Sequence, residues 1–152
     1  MLDRWLLHRL SSLLGKPFVR LVFGARQTGK TTLLNALLPH ASLRLNLADP
    51  EERTRFLADP GLLARECEAL PSKKEPHVVF IDEAQAVPSV FDSVQVLFDR
   101  DRSRWRFVLC GSSARKLRQA GTNMLPGRCL VHRLYPLILG ELLPALAAIR
   151  PA

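Results

Sequence analysis

An α/β fold, with a mainly parallel sheet between layers of helices, is what this sequence predicts, and three observations predict it. Short, almost uninterrupted apolar runs occur at residues 18–23, 78–81 and 107–110, the pattern of strands buried on both faces of a parallel sheet. Segments with helical spacing lie between them, so strands and helices alternate along the chain. The first run leads through a turn that begins at Gly24 and holds Gly29 into a helix, the kind of strand–loop–helix unit from which parallel sheets are assembled.

Taken in order, the elements are these. Leu2, Trp5, Leu6, Leu10, Leu13 and Leu14 recur at helical spacing, which predicts a helix beside the sheet within residues 1–16. Asp3 and the interspersed arginines break the continuous apolar core that a signal segment needs. The run at 18–23, apolar except for Arg20, is the first strand, and residues 31–38 read as a helix that stops before Pro39. Leu43, Leu45 and Leu47 alternate with Arg44 and Asn46, a strand with one wetter face. Asp49, Pro50, Glu51 and Glu52 read as a capping box that opens a helix with proline at its first position. Asp59, Pro60 and Gly61 start another helical run that ends before Pro71, and residues 72–76 are a polar loop into the strand at 78–81. Val90, Phe91, Val94, Leu97 and Phe98 share one face of the next helix, which precedes the strand at 107–110. The chain has no internal repeat and no low-complexity tract.

At 152 residues the chain suits a single domain large enough to bury a core without disulfides or metals. Within it, residues 1–16 read as an N-terminal helix, 17–135 as the core and 136–152 as a C-terminal segment. Cys67, Cys110 and Cys129 are odd in number and lack C-x-x-C spacing, which fits a reducing, cytoplasmic setting. His8, His40, His77 and His132 are scattered and form no ligand pattern. The most apolar stretch, 134–149, is broken by Pro136, Gly140, Glu141 and Pro144, so no transmembrane span is expected. The net charge is +8. Arg100, Arg102, Arg104, Arg106, Arg115, Lys116, Arg118, Arg128 and Arg133 concentrate the excess in the last third, a stripe suited to nucleic acid, an acidic partner, a membrane surface or plain solvation.

The chemistry-bearing residues follow two of the strands. Gly24, Ala25, Arg26, Gln27, Thr28, Gly29, Lys30 and Thr31 fit G-x-x-x-x-G-K-[ST], the loop whose backbone N–H groups wrap nucleotide phosphates. A chain of this length matches that pattern by chance about once in several hundred, at ordinary glycine frequencies of roughly 7%. Gly24 is expected to let the backbone turn and Gly29 to let it approach the phosphates closely. Lys30 is placed for the outer phosphates, Thr31 for Mg²⁺, and the helix that follows directs its positive end at the anion. The second constellation is Asp82 and Glu83, at the C-terminal end of the run at 78–81, the end at which open α/β sheets bind ligands. Asp82 there suits Mg²⁺, and Glu83 suits a general base toward water; the plainer alternative is an acidic cap after a strand. No Asn-Lys-x-Asp guanine-reading motif occurs, and an acidic residue directly after the metal-binding aspartate is unusual in small-molecule P-loop kinases. ATP hydrolysis is therefore favoured over both.

Beyond these motifs, a longer series of segments occurs in a fixed order: residues 24–32, 43–50 (Leu-Arg-Leu-Asn-Leu-Ala-Asp-Pro), 80–88 (Phe-Ile-Asp-Glu-Ala-Gln-Ala-Val-Pro), 110–117 (Cys-Gly-Ser-Ser-Ala-Arg-Lys-Leu), 125–128 (Leu-Pro-Gly-Arg) and 134–137 (Leu-Tyr-Pro-Leu). With them the sequence resembles, over most of its length, the AAA-type ATPase domain of a large set of bacterial and archaeal predicted ATPases. The resemblance implies a P-loop NTPase fold of three αβα layers around a five-stranded sheet of the AAA/ASCE type, with the strand at 43–47 on its edge. It implies ATP and Mg²⁺ as ligands, with residues 24–31 and 78–83 as Walker A and Walker B motifs and Thr32 completing the phosphate-binding set. Ser112 matches the polar sensor position that monitors the terminal phosphate, its alternative being a helix N-cap. Arg128 matches a conserved Gly-Arg and is a candidate arginine finger acting on a neighbouring copy's nucleotide, its alternative being a solvated turn arginine. The departures are Cys110 where the family often has Thr, Pro126 where it often has Ala, and an unusually apolar segment after Pro136. Family members usually continue into a C-terminal domain, so the resemblance implies either a piece of a longer protein or an ATPase core retained alone.

The sequence thus points to Mg-dependent ATP binding and hydrolysis coupled to a conformational change, in a cytoplasmic protein without membrane contact. Two other readings stay open: a nucleotide-gated protein-interaction module with little turnover, and a nucleic-acid-associated ATPase.

Overall fold

The computed structural model describes residues 5–112, 124–137 and 141. Helix α1 (Trp5–Leu13) precedes strand β1 (Val19–Phe23), and then come α2 (Lys30–Leu37), β2 (Leu43–Asn46), α3 (Pro50–Ala58), α4 (Leu62–Glu68) and β3 (His77–Asp82). A 3-10 turn, Ala84–Ala86, leads to α5 (Ser89–Arg100), β4 (Trp105–Gly111) and β5 (Cys129–Arg133). The five strands form one sheet in the order β2-β3-β4-β1-β5, and every neighbouring pair is parallel. Parallel neighbours require crossover connections, so helices cover both faces.

The two faces follow from the alternation of side chains along each strand. Val19, Leu21 and Phe23 of β1 pack with Phe56 of α3, Leu63 and Cys67 of α4, and Val90, Phe91, Val94, Leu97 and Phe98 of α5. Val22 points the other way and joins Phe80, Val108 and Cys110 beneath Leu10 of α1 and Leu33 and Leu34 of α2. The result is three layers, helix–sheet–helix. Every apolar position that helical spacing assigned to the buried face of α5 is buried; truncating one of its rings, such as Phe91, to alanine costs about 3–5 kcal/mol.

Arg20 is the exception in the first apolar run, and it is buried all the same, at 1% exposure. Its guanidinium donates to the carbonyls of Phe18 at 2.6 Å, Lys16 at 3.1 Å and Leu13. Leu13 is the last residue of α1, so the guanidinium ties the end of that helix to the connection into β1. β2 is an edge strand, with Leu45 buried and Arg44 and Asn46 exposed, as the alternation predicts.

Three local expectations need adjustment. β4 begins at Trp105 rather than 107, because Trp105 is buried against His77 and Phe107; ring packing extends the strand past polar Arg106. β3 likewise starts at His77 and includes Asp82. At α3, Asp49 does cap the helix, its Oδ1 accepting from the N–H groups of Glu51 at 2.8 Å and Glu52 at 3.3 Å. The reciprocal half of the box is not made, since Glu52 Oε2 accepts from Asn46 N at 2.6 Å instead, a backbone N–H at the open edge of the sheet.

Of the basic stripe, Arg115, Lys116 and Arg118 lie outside the described residues, as do Leu2 and most of the apolar C-terminal segment. The described part of the stripe is largely occupied. Arg100 pairs with Glu68, Arg102 and Arg128 with Asp99, and Arg106 donates to the carbonyls of Arg102, Trp105 and Gly15. No helix among the described residues is long and apolar enough to cross a membrane.

Candidate functional site

The chain leaves the C-terminal end of β1 through Gly24, which is held by a close approach: a Cβ there would lie 2.3 Å from the Leu134 carbonyl oxygen. The left-handed turn falls at Gln27 (φ 61°) and Gly29 (φ 81°). Gly24 thus passes where a Cβ would clash with the segment after β5, while the left-handed conformation falls on Gly29. Gly29 occupies the N-cap of α2 without a capping side chain. The N–H groups of Gly29, Lys30 and Thr31 have no carbonyl partner among the described residues, which leaves the positive end of α2 open to an anion. Thr28 is turned inward, donating to the Ala25 carbonyl at 2.9 Å. Lys30 Nζ donates to the carbonyls of Gly24 at 2.9 Å and Ala25 at 2.7 Å, so the ammonium is folded back over its own loop. Arg26, Gln27 and Thr32 line the adjoining cleft.

β4 lies between β1 and β3, and this spacing sets Asp82 opposite the start of α2. The Thr31 hydroxyl donates to Asp82 Oδ2 at 2.6 Å, across 51 residues of sequence. Asp82 Oδ1 accepts from Glu83 N at 2.9 Å. Cys110 is buried near Asp82; burial first, then the Asp82 charge, pushes its thiol far above the ordinary range, so it stays protonated. Glu83 has a left-handed backbone, φ 51° and ψ 41°, a conformation that costs a non-glycine residue about 1–3 kcal/mol. That turn points Glu83 into the cleft rather than along the strand. The acidic-cap alternative is partly realised at Asp82, which accepts from the next N–H, but its second oxygen belongs to Thr31.

One residue outside the predicted set completes this group. Gln85 Nε2 donates to Glu83 Oε2 and also to Ser112 Oγ at 3.1 Å, so a single amide joins the expected base to the expected sensor. Its Oε1 is buried without a partner among the described residues and lies against Gly111. Gln85 lies in the segment 80–88 that carries the family resemblance, two residues after Glu83, but nothing in that segment marked it for a role.

The cleft has a volume of about 600 Å³ and is lined by Arg26, Lys30, Thr31, Glu83 and Gln85 together with Leu47, Ala48 and Arg53. That size suits a small-molecule ligand. Arginine and lysine outnumber the single carboxylate on its wall, so an anionic ligand fits. The adjacent oxygens of Thr31 and Asp82 are hard donors suited to Mg²⁺. Among the described residues no group of three or more His, Cys, Asp or Glu forms a metal cage, so a metal here would draw its remaining ligands from water and phosphate, the usual habit of Mg²⁺.

Arg128 is elsewhere. It stands just before β5, whose first residue pairs with Val19, and therefore at the edge of the sheet opposite the phosphate loop. Its Nε donates to both oxygens of Asp99, at 2.7 and 2.9 Å. The pair lowers the Asp99 pKa and raises that of Arg128, through the hydrogen bond first. It is a surface arginine paired with Asp99, and it does not line the cleft of its own chain.

A family model described as an AAA domain matches residues 16–143. An uncharacterized protein of Mycobacterium tuberculosis, Rv2008c, is 35% identical over 121 residues, which is 79% of this chain and 25% of that protein. The chain thus spans a quarter of that relative's length. Among solved structures, the Walker-type ATPase PABY2304 of Pyrococcus abyssi superposes with a TM-score of 0.64 at 17% identity, covering 97% of this chain and 57% of that one. The Orc1 protein of Aeropyrum pernix, solved in complex with DNA, gives a TM-score of 0.65 at 15% identity, covering 97% of this chain and 49% of that one. These two likenesses establish the fold. By its family match and its fold, the chain belongs to the AAA domain family.

Proposed function

We infer that this domain binds ATP with Mg²⁺ in the cleft and hydrolyses it, coupling the nucleotide state to a change of conformation. The observation that carries the reading is the 2.6 Å contact between Thr31 and Asp82, which brings a hydroxyl and a carboxylate together beside unpaired N–H groups and a lysine. The N–H groups of residues 29–31 hold the inner phosphates, and Lys30 exchanges the carbonyls of Gly24 and Ala25 for phosphate oxygens. Mg²⁺, held by Thr31 and Asp82, would neutralise the phosphate chain and polarise its terminal group. Glu83 orients a water and accepts its proton as the water oxygen bonds to the terminal phosphorus and the bridging oxygen leaves on ADP. Ser112, tied to Glu83 through Gln85, registers whether the terminal phosphate is present. Arg128, on the opposite edge, acts on the nucleotide of a second copy. A reducing compartment such as the cytoplasm suits the free thiols of Cys67, Cys110 and Cys129.

The test is single-turnover hydrolysis with Mg²⁺ at several protein concentrations. Lys30→Ala should abolish tight ATP binding, and Glu83→Gln should retain binding while losing a hundredfold or more in rate. Hydrolysis at the wild-type rate in Glu83→Gln would remove Glu83 as the base. Unchanged affinity in Lys30→Ala would move the nucleotide site elsewhere.

A further inference from the structure

We propose that Arg53 is a catalytic residue of this cleft, gripping the terminal phosphate of a nucleoside triphosphate from within the same chain. The proposal rests on the cleft being a nucleotide site, and it adds a contact that neither the phosphate loop nor the carboxylates supply.

The argument begins with the strand order. β1, which carries the phosphate loop, is separated from β3 by β4, and β2 lies beyond β3. β2 is in register with β3 so that Asn46 sits beside Asp82, and Leu47 N donates to the Asp82 carbonyl at 3.1 Å. Along the C-terminal edge of the sheet the sequence of parts is therefore phosphate loop, then Asp82 and Glu83, then the connection into α3. A phosphate chain with its inner groups on residues 29–31 that passes the Thr31–Asp82 pair has its outer end directed at that connection. Arg53, one turn into α3, lines the cleft there together with Lys30, Thr31 and Glu83.

The second observation is that Arg53 is uncommitted. It is half-buried, and its guanidinium has no hydrogen-bond or ion-pair partner among the described residues. Nearby arginines are engaged, Arg55 with Glu66 and Arg65 with Asp59. The carboxylate next to it in sequence, Glu52, is taken by Asn46 N. A partly desolvated guanidinium without an acid is completed by an anionic ligand. Its planar fork matches two oxygens of one phosphate, and only a triphosphate offers that group at this end of the cleft. Arg128 cannot serve here, being held by Asp99 on the opposite edge.

Binding of a non-hydrolysable ATP analogue and of ADP, each with Mg²⁺, is measured for the wild type, Arg53→Ala and Arg53→Lys, alongside the hydrolysis rate. Arg53→Ala should weaken the triphosphate by about tenfold or more, the worth of a charge-assisted hydrogen bond, and leave ADP affinity unchanged, which also certifies the fold. Arg53→Lys should recover part of the triphosphate affinity but little of the rate, since an ammonium lacks the fork. Equal losses for the two nucleotides, or none, overturn the role of Arg53 while leaving the nucleotide site standing. A wild-type protein that binds neither nucleotide overturns the site itself, and the proposal with it.

Discussion

Gly111→Ala approaches the Gln85 bridge from behind. The added Cβ would lie 2.3 Å from Gln85 Oε1, but 3.4 Å from Gln85 Cδ and from Phe23 Cε1. The longer contacts are tolerable and the short one is not, so the amide must swing away while Phe23 stays. Gln85 then releases both Glu83 and Ser112. A neutral hydrogen bond contributes about 1 kcal/mol net and one to a carboxylate about 1.5–3 kcal/mol, so the bridge is worth about 2.5–4 kcal/mol. Against this, Gln85 Oε1 loses its buried, unpartnered position, a return of about 1–3 kcal/mol, and replacing glycine returns a further 0.4–1 kcal/mol or so. Stability should therefore change by no more than about 3 kcal/mol, read by urea denaturation. Hydrolysis should suffer more, because a base displaced by about an ångström can lose roughly a hundredfold. Gln85→Ala should match Gly111→Ala in rate, and the double variant should be no worse than either, since all remove one bridge. Wild-type turnover in Gly111→Ala, or losses that multiply in the double variant, would refute the bridge.

Three further outcomes are expected. Asp49→Ala removes the acceptor of two N–H groups at the start of α3 and should cost about 1 kcal/mol in denaturant; an unchanged midpoint would mean that water replaces the cap. Burial first, and then the Lys73 charge, holds the His77 pKa below 6.5. Folding thus favours its neutral form, so stability is full above pH 6.5 and declines as pH falls from there toward the lowered value; His77→Phe should remove that part of the slope. Mixing Lys30→Ala with Arg128→Ala should restore turnover if Arg128 serves a neighbour's nucleotide, whereas full activity of Arg128→Ala alone would exclude the role.

Patterns within one element were legible in the sequence. The strand–loop–helix around residues 24–31, the buried face of α5 and the wetter edge strand all follow from periodicity and glycine placement. What could not be read were contacts set by strand register. Ser112 and Gln85 meet because β3 and β4 are neighbours, and nothing in either segment states that. The Asp99–Arg128 pair joins the end of a helix to the start of a strand and engages Arg128 at the surface. Glu52 looked like half of a capping box, but the nearby edge of β2 offered a competing N–H. Arg53 was one arginine among many until the β2–β3 pairing set it over the cleft.

The position of β4 also bears on how the chain comes to fold. The phosphate loop and Asp82 both precede β4 in synthesis, yet their strands acquire a fixed separation only when β4, ending at Gly111, inserts between them. Such non-local pairing incurs its loop-closure entropy before any contact offsets it. A ligand of the cleft can thus stabilise only a chain whose sheet is nearly complete, and by mass action it stabilises that state alone. Ligand occupancy would then mark finished molecules and slow their reopening, with chains stalled before residue 105 left without that protection.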